Sequence, residues 1–189
     1  MNFTSKILLA SNSPRRHELL TMLGIDFTVR VKEVDEEFPA ELKKAQIAEY
    51  LAGKKAAAYL DELHADEVLL TADTIVCLDD LVLNKPVDFS EAQAMLHSLS
   101  GRMHEVFTGV CLISSTKKEV FHDVTRVFFK NLSDDEITQY IQKYQPYDKA
   151  GAYGAQDWIG MVAIQRLEGS FYNVMGLPVH KVYAALQSF

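Results

Sequence analysis

The sequence predicts an α/β fold in which a mixed sheet is flanked by helices. Strand-like apolar runs alternate with helical segments, but not as a regular βαβ series, so we expect strands of both directions. Hydrophobic residues make up 48% of the 189 residues, which is enough for a substantial core. This length is typical of one domain, so we predict a single domain over residues 1–189, with room for two lobes.

The first half of the chain predicts three strands and two helices. "KILLA" is a short buried strand, "PRRHELLTML" is a helix that begins after Ser13 and ends at Gly24, and "DFTVRVKEV" alternates as a strand does. After Pro39, "ELKKAQIAEYLAGKKAAAYLDEL" repeats apolar residues at helical spacing. "VLLTADTIVCL" is a long apolar strand, and "DDLVLNKP" adds a turn and a short extended segment.

The second half adds helices with start signals and a pair of strands. Capping-box spacing predicts helices that begin after Asp88 and after Ser133. Between them, "HEVFTGVCLIS" and "EVFHDVTRVFFKNL" are predicted to pair through the turn "STKKE". The last third holds "DKAGAYGAQ", a strand-like "MVAIQRLEG", a loop "SFYNVMGLP" and a final helix "VHKVYAALQSF".

Composition excludes several classes of function. A net charge of −7 argues against a nucleic-acid binder, which usually has a broad basic surface. No apolar run approaches the roughly 20 residues that span a bilayer, and the N-terminus lacks the features of a signal peptide, so we expect a cytoplasmic protein without a membrane partner. Cys77 and Cys111 lie in apolar runs and are predicted to be reduced and buried.

The segment "LLASNSPRRHELL" predicts an anion site. A strand leads through a polar loop into a helix N-terminus, where unpaired N–H groups point outward. Ser11 and Ser13 add hydroxyl donors, and Arg15 and Arg16 lie in the first turn, where cations are otherwise disfavoured. Two guanidiniums can bind phosphate oxygens in bidentate fashion. The alternative is a surface helix start whose arginines pair with acids such as Glu18.

A single acidic residue interrupts the long apolar strand "VLLTADTIVCL". Burying an unpaired carboxylate costs several kcal/mol, so Asp73 must lie at a strand end, be paired, or bind a metal. At a strand end it could hold a divalent cation or orient a water as a general base. The alternative is an aspartate that accepts backbone hydrogen bonds from a loop.

Two lysines and a glycine-rich segment complete the candidate site. Pro86 holds Lys85 extended, and Lys55 could reach the same region from its helix, although either lysine could instead be an ordinary surface residue. In "DKAGAYGAQ", two glycines permit close approach of a ligand, and Gln156 has an amide able to read a base edge. The alternative is a glycine-rich turn. The loop "GSFYNVMGLP" is expected to be mainly structural.

Five segments in order, "LASNSPRRHELL", "TADTIV", "KP", "DKAGAYGAQ" and "GSFYNVMGLP", resemble the signatures of the Maf family of nucleoside triphosphate pyrophosphatases. The resemblance runs from residue 6 to the C-terminus. It implies hydrolysis of the α–β phosphoanhydride of a nucleoside triphosphate to a monophosphate and pyrophosphate. It also implies Mg²⁺ or Mn²⁺ as cofactor, two lobes around a deep cleft, as in the inosine triphosphate pyrophosphatases, and a homodimer.

The resemblance also assigns roles to individual residues. Asp73 matches the proton acceptor that activates water, and it is also the candidate metal ligand. Arg15, Thr74 and Gln156 match three positions that separate substrate classes; the branch acting on 7-methyl-GTP has Trp, Gln and Glu there. This favours the branch acting on dTTP and UTP. The remaining polar positions of the family's cleft are matched by Ser11, Arg16, Glu36, Lys55 and Lys85.

Three further hypotheses stay open on the sequence. The substrate could be a 7-methyl-GTP-type nucleotide. It could also be a modified pyrimidine triphosphate, because methyl-sized differences in a pocket change selectivity only ~10–200-fold. A nonenzymatic nucleotide-binding regulator of septum formation and cell division is the third. The chain also departs from the family pattern: Asp157 follows Gln156 where the family commonly has Gly, and Trp158 comes next.

Overall fold

A computed structural model describes residues 5–189 of the chain. Seven strands form one mixed sheet in the order β2-β1-β3-β5-β6-β7, with β4 paired to β3. The strands are β1 (Lys6–Leu9), β2 (Phe27–Val29), β3 (Glu67–Leu78), β4 (Leu81–Leu83), β5 (Met103–Ile113), β6 (Lys118–Phe129) and β7 (Ile164–Glu168). The helices are α1 (Pro14–Met22), α2 (Ala45–Ala57), α3 (Phe89–Leu99), α4 (Asp134–Tyr144), α5 (Trp158–Ala163), α6 (Phe171–Met175) and α7 (Val179–Leu186).

The α/β class and the mixed sheet are confirmed. β1 pairs in parallel with β2 and β3, whereas β3–β4 and β6–β7 are antiparallel. The predicted cap Ser133 and its partner Glu136 form a complete capping box at the start of α4. At α3 only half of the predicted motif is present, because the Asp88 side chain accepts from the Glu91 amide while Glu91 accepts from Val87.

Several predicted boundaries are wrong. The helix predicted to start at residue 41 begins at Ala45, because Lys44 adopts a positive φ of 49° that no helix accommodates. The strand predicted over "DFTVRVKEV" is reduced to the three residues of β2 at the sheet edge. The first residues of "MVAIQRLEG" belong to α5, and the predicted loop "SFYNVMGLP" contains α6. Both helices have fewer than two turns and so leave no periodic signal.

The chain divides into two compact units. Among the described residues, the first comprises 5–74, 108–123 and 176–189, and the second comprises 75–107 and 124–175. Side chains from β1, β3, β5, α2 and the turn after α2 form a core cluster in the first unit: Leu8, Ala52, Ala56, Tyr59, Leu69, Cys111 and Ile113. The second unit has its own core, to which α3, α4 and α5 contribute. Cys77 and Cys111 are buried, as predicted.

Close contact between helix α2 and strand β5 fixes the position of α2 in the first unit. A Cβ at Gly109 would lie 2.3 Å from the backbone carbonyl of Ala48, so only glycine allows the helix to approach this closely. The helix therefore presents its C-terminal residues, including Lys55, at a fixed place beside β3. Within residues 5–189, no helix is long and apolar enough to cross a membrane.

A buried histidine makes the second unit sensitive to acid. His104 is 1% exposed, its Nε2 lies 2.7 Å from the Tyr153 hydroxyl, and its ring packs edge-on against Phe129. Burial lowers the pKa of His104 from 6.5 to about 3. Between these values the unfolded chain binds a proton that the folded chain does not, so stability falls as the pH is lowered from 6.5 towards 3.

We therefore expect a pH-dependent difference between the wild type and His104→Gln. Below about pH 6, the buried His104 should lower the free energy of unfolding of the wild type by up to about 1.4 kcal/mol for each pH unit. Urea unfolding of both proteins at pH 7, 6 and 5, with glutamine unable to titrate, measures this contribution. Parallel pH profiles for the two proteins would contradict it.

Candidate active site

The loop between β1 and α1 begins the candidate site. Helix α1 starts at Pro14 with Ser13 at its N-cap position, as predicted, but the Ser13 side chain makes no capping hydrogen bond. Instead, the Oγ of Ser11 accepts a hydrogen bond from the Ser13 amide at 3.2 Å. Ser11 is buried, and its hydroxyl therefore shapes the turn that leads into the helix.

Arg16 points inward and is held by three acceptors. Its Nε donates to the carbonyl of Gly176 at 2.8 Å, Nη1 donates to the Oγ of Ser11 at 3.2 Å, and Nη2 donates to the Oγ1 of Thr74 at 3.1 Å. These bonds use three of the five N–H donors of the guanidinium. The side chain is thus preorganised, and two donors are left for an anion.

The charges around Arg16 are mixed. Burial lowers the pKa of the Arg16 guanidinium, the positive charge of Arg15 lowers it further, and the carboxylates of Asp73 and Glu36 oppose that shift. Such effects require charges a few ångströms apart. The charges of Arg15, Asp73 and Glu36 therefore each lie within electrostatic range of the Arg16 guanidinium.

Asp73 lies in the middle of a strand. The sequence allowed three alternatives for it, a strand end, a partner or a metal, and it does not lie at a strand end, since β3 continues from Glu67 to Leu78. Pairing is the alternative that the structure shows: its side chain is only 10% exposed, and the Nζ of Lys55 lies 2.5 Å from its Oδ1. A buried charge in a strand is tolerated here because α2 delivers an ammonium group to it.

Lys55 binds two carboxylates at once. Its Nζ also donates to the Oε1 of Glu36 at 2.8 Å, and the Glu36 side chain is 48% exposed. One ammonium thus bridges a nearly buried carboxylate and a half-exposed one. The neighbouring Lys54 forms a separate ion pair with Asp35, 65% of whose side chain is exposed.

Thr74 belongs to the hydrogen-bond network of Arg16. Besides accepting from the guanidinium, its hydroxyl lies 3.0 Å from the Oγ1 of Thr108. A Cβ at Gly176, which has a φ of +113°, would come within 3.4 Å of the Thr74 hydroxyl. The segment predicted as a structural loop therefore has a second role, because its Gly176 carbonyl orients Arg16.

The remaining predicted residues lie in the second unit. Lys85 is exposed and follows β4, and the carbonyl of its neighbour Asn84 accepts a hydrogen bond from the Gly151 amide at 3.2 Å. Two consecutive left-handed residues, Gly151 and Ala152, turn the glycine-rich segment. Further along, the Nε2 of Gln156 donates to the Oδ1 of Asp157 at 3.2 Å.

The carboxylates of Asp73 and Glu36 suit a divalent cation that is bound jointly by the protein and by the phosphates of a substrate. Within residues 5–189, no group of three or more His, Cys, Asp or Glu side chains could hold a metal. Asp73 and Glu36 nevertheless both bind the ammonium of Lys55. Mg²⁺ is commonly held by one or two carboxylates together with phosphate oxygens and water. This donor set fits such an ion.

Comparison with known proteins decides the family. The family model described as Maf-like protein matches residues 6–189. The chain belongs to the Maf family. This chain is 51% identical over 183 residues to the dTTP/UTP pyrophosphatase of Bacteroides thetaiotaomicron, a match that covers 96% of this chain and 95% of the relative. It is also 51% identical over 185 residues to the dTTP/UTP pyrophosphatase of Parabacteroides distasonis, covering 97% and 96%.

A solved structure is similar at a lower level. It is the nucleoside-triphosphatase or dITP/XTP pyrophosphatase of Mycobacterium abscessus, which covers 97% of this Maf chain at 14% identity, with 95% of its own chain covered and a TM-score of 0.48. Nothing about this chain follows from a likeness of that size.

Three groups of this Maf chain were missed by sequence reasoning. The Gly176 carbonyl and the Thr108 hydroxyl hold Arg16 and Thr74, but each comes from a segment far along the chain and carries no local signal. Tyr140 donates its hydroxyl to Asp157 at 2.9 Å. For this contact the sequence offered one indication, the presence of Asp157 where the Maf pattern commonly has Gly.

Proposed function

We propose that this chain is a nucleoside triphosphate pyrophosphatase that hydrolyses dTTP and UTP to the monophosphate and pyrophosphate. The observation that carries the proposal is the cluster in the first unit, where a preorganised arginine lies beside an aspartate bound to lysine. An anion held by guanidiniums next to a carboxylate is the arrangement that hydrolysis of a phosphoanhydride needs. The names of the relatives at about 50% identity support the same substrates.

The residues of the first unit divide the work of binding and attack. Arg15, Arg16 and Ser11 bind the triphosphate, and the preorganised guanidinium of Arg16 loses little freedom when it does so. Lys55 occupies Oδ1 of Asp73, and the second oxygen of that carboxylate takes the proton of the water that attacks the α-phosphorus.

As the bond from the water oxygen to the α-phosphorus forms, the bond from the α-phosphorus to the bridging oxygen breaks, and pyrophosphate leaves with the electron pair. Lys55 and Lys85 stabilise the charge that develops on the phosphate oxygens. Glu36 keeps the ammonium of Lys55 in place. Asp73 and Glu36, together with phosphate oxygens, would hold Mg²⁺ or Mn²⁺, and the ion would supply Lewis-acid stabilisation to the departing pyrophosphate.

The base is assigned to Arg15, Thr74 and Gln156. The Oε1 of Gln156 is a buried acceptor for which the described residues supply no hydrogen-bond partner. An amide suits a neutral pyrimidine, whereas a cationic methylated guanine favours an aromatic face and a carboxylate. The homodimer, the cytoplasmic location and the absence of a nucleic-acid partner stay predictions from the sequence.

A pyrophosphate-release assay with several nucleotides tests the function. We expect turnover of dTTP and UTP in the presence of Mg²⁺ or Mn²⁺, and much less with CTP, GTP and 7-methyl-GTP. Including 5-methyl-UTP and pseudo-UTP ranks the modified pyrimidines in the same experiment. Binding of these nucleotides without release of pyrophosphate would contradict the enzyme and favour a nucleotide-binding regulator.

A further inference from the structure

Asp157 lies among three hydrogen-bond and charge partners in the second unit. Its Oδ1 accepts from the Nε2 of Gln156 at 3.2 Å, and its Oδ2 accepts from the hydroxyl of Tyr140 at 2.9 Å. The ammonium of Lys149 is 3.8 Å from the same Oδ2. Only 15% of the Asp157 side chain is exposed, so these contacts hold the carboxylate in one orientation.

The carboxylate determines which end of the Gln156 amide faces it. An ionised carboxylate only accepts hydrogen bonds, so the amide must present its NH₂ group to Asp157 and direct its oxygen elsewhere. Burial and the charge of Asp157 raise the pKa of Tyr140, which keeps that hydroxyl protonated and a donor to Asp157. The sense of the amide is therefore imposed by its surroundings.

The space around the amide is also restricted. A Cβ at Gly154 would lie 2.8 Å from the Nε2 of Gln156 and 2.6 Å from the Oδ2 of Asp157. Only glycine leaves room for this arrangement, and the Gly154 amide itself donates to the Tyr140 hydroxyl. The result is a buried Oε1 of Gln156 for which the described part of the chain offers no donor.

We propose that Asp157 is a positioning residue that turns Gln156 into a fixed hydrogen-bond acceptor, which selects a nucleobase with a ring N–H. This inference rests on the proposed function. Uracil and thymine carry a hydrogen on N3, which the Oε1 of Gln156 accepts. Cytosine has a bare lone pair on N3, which would face another acceptor and leave both groups unsatisfied. Uracil and cytosine have the same size, so hydrogen bonding at their polar edge, and not shape, separates them.

The variant Asp157→Asn tests the assignment. Asparagine both donates and accepts, so the amide of Gln156 can turn over and offer its NH₂ group to N3 of cytosine. We expect the ratio of kcat/KM for UTP to that for CTP to fall about tenfold or more. In the wild type the fixed Oε1 of Gln156 is satisfied only by a base with a ring N–H, whereas in the variant the amide can turn to fit either base. A merely structural role would lower both rates together and leave the ratio unchanged.

Two further variants make the result specific. Asp148→Asn removes the other carboxylate that pairs with Lys149, at 2.8 Å, and should leave the ratio unchanged. Tyr140→Phe removes one of the donors that orient Asp157 and should lower the ratio in the same direction, by less. If Asp157→Asn does not fold, as judged by its circular dichroism, the Tyr140→Phe ratio decides.

Equilibrium binding of UMP and CMP tests the same base preference without turnover, as the ratio of the two dissociation constants. A wild-type protein that binds UMP over CMP but releases no pyrophosphate would overturn the proposed function and leave the role of Asp157 in place. Turnover of UTP with an unchanged ratio in both Asp157→Asn and Tyr140→Phe would overturn the role of Asp157 and leave the function standing.

Discussion

Replacing Asp73 with Asn is expected to lower kcat for UTP by about 10²–10⁴-fold, the range that general-base help supplies. Asparagine keeps the shape of the side chain and an oxygen that accepts from Lys55, but it cannot take a proton from water. The KM and the binding of a nonhydrolysable triphosphate should therefore change little. Steady-state kinetics and equilibrium binding of the variant measure the two effects separately.

Asp35→Asn is the matched control. Asp35 pairs with Lys54, one residue before Lys55, but most of its side chain is exposed. Exposed ion pairs contribute little to stability, and Asp35 has no proposed part in the reaction. Both the fold and the turnover should therefore match those of the wild type. Near-normal turnover in Asp73→Asn would remove this carboxylate from the reaction.

Replacing Lys55 with Met should have an effect of comparable size on kcat/KM, and it should also destabilise the protein. Methionine keeps the length of the side chain but leaves the nearly buried Asp73 and its neighbour Glu36 without their shared ammonium. A buried carboxylate that loses its partner costs about 1–3 kcal/mol of unfolding free energy. In the reaction, the charge that develops on the phosphate oxygens loses the ammonium that stabilises it. Kinetics and chemical denaturation test both parts.

Lys54→Met provides the comparison on the same helix. Its ammonium pairs with the exposed Asp35, so activity and the midpoint of unfolding should stay close to those of the wild type. Equal losses in the two lysine variants would show that the effect comes from the surface charge of α2 and not from the contact with Asp73.

The sequence predicted that Asp73 needs a partner, but not which residue supplies it. The free-energy cost of an unpaired carboxylate in "VLLTADTIVCL" required a partner, and that much follows from the residue alone. The identity of the partner does not. Lys55 reaches Asp73 only because Gly109 lets α2 pack closely against β5, a tertiary contact without a local pattern.

Arg16 illustrates the same limit. Its place in the first turn of α1 predicted an anion site, because cations are disfavoured there. The structure adds that a carbonyl from the distant segment at Gly176 orients the guanidinium. Nothing in the local sequence around residue 176 marks that carbonyl, since every residue has one. Backbone acceptors of this kind become visible only in three dimensions.

Short elements were lost for a different reason. Helices α5 and α6 are too brief to show a 3.6-residue period, and the apolar run "MVAI" is as compatible with a strand as with a helix. The longer α4 was predicted closely, because its capping box and its apolar face agree. A sequence pattern that repeats over several helical turns therefore predicts a helix, whereas a pattern of one or two turns does not.

Hydrolysis of UTP in water enriched in the heavy oxygen isotope tests the central claim most directly. The account requires that water attacks the α-phosphorus, so all of the heavy oxygen should appear in UMP and none in pyrophosphate. Mass spectrometry of the two products reads this out in a single turnover experiment. Heavy oxygen in pyrophosphate, or release of UDP and phosphate, would contradict the account.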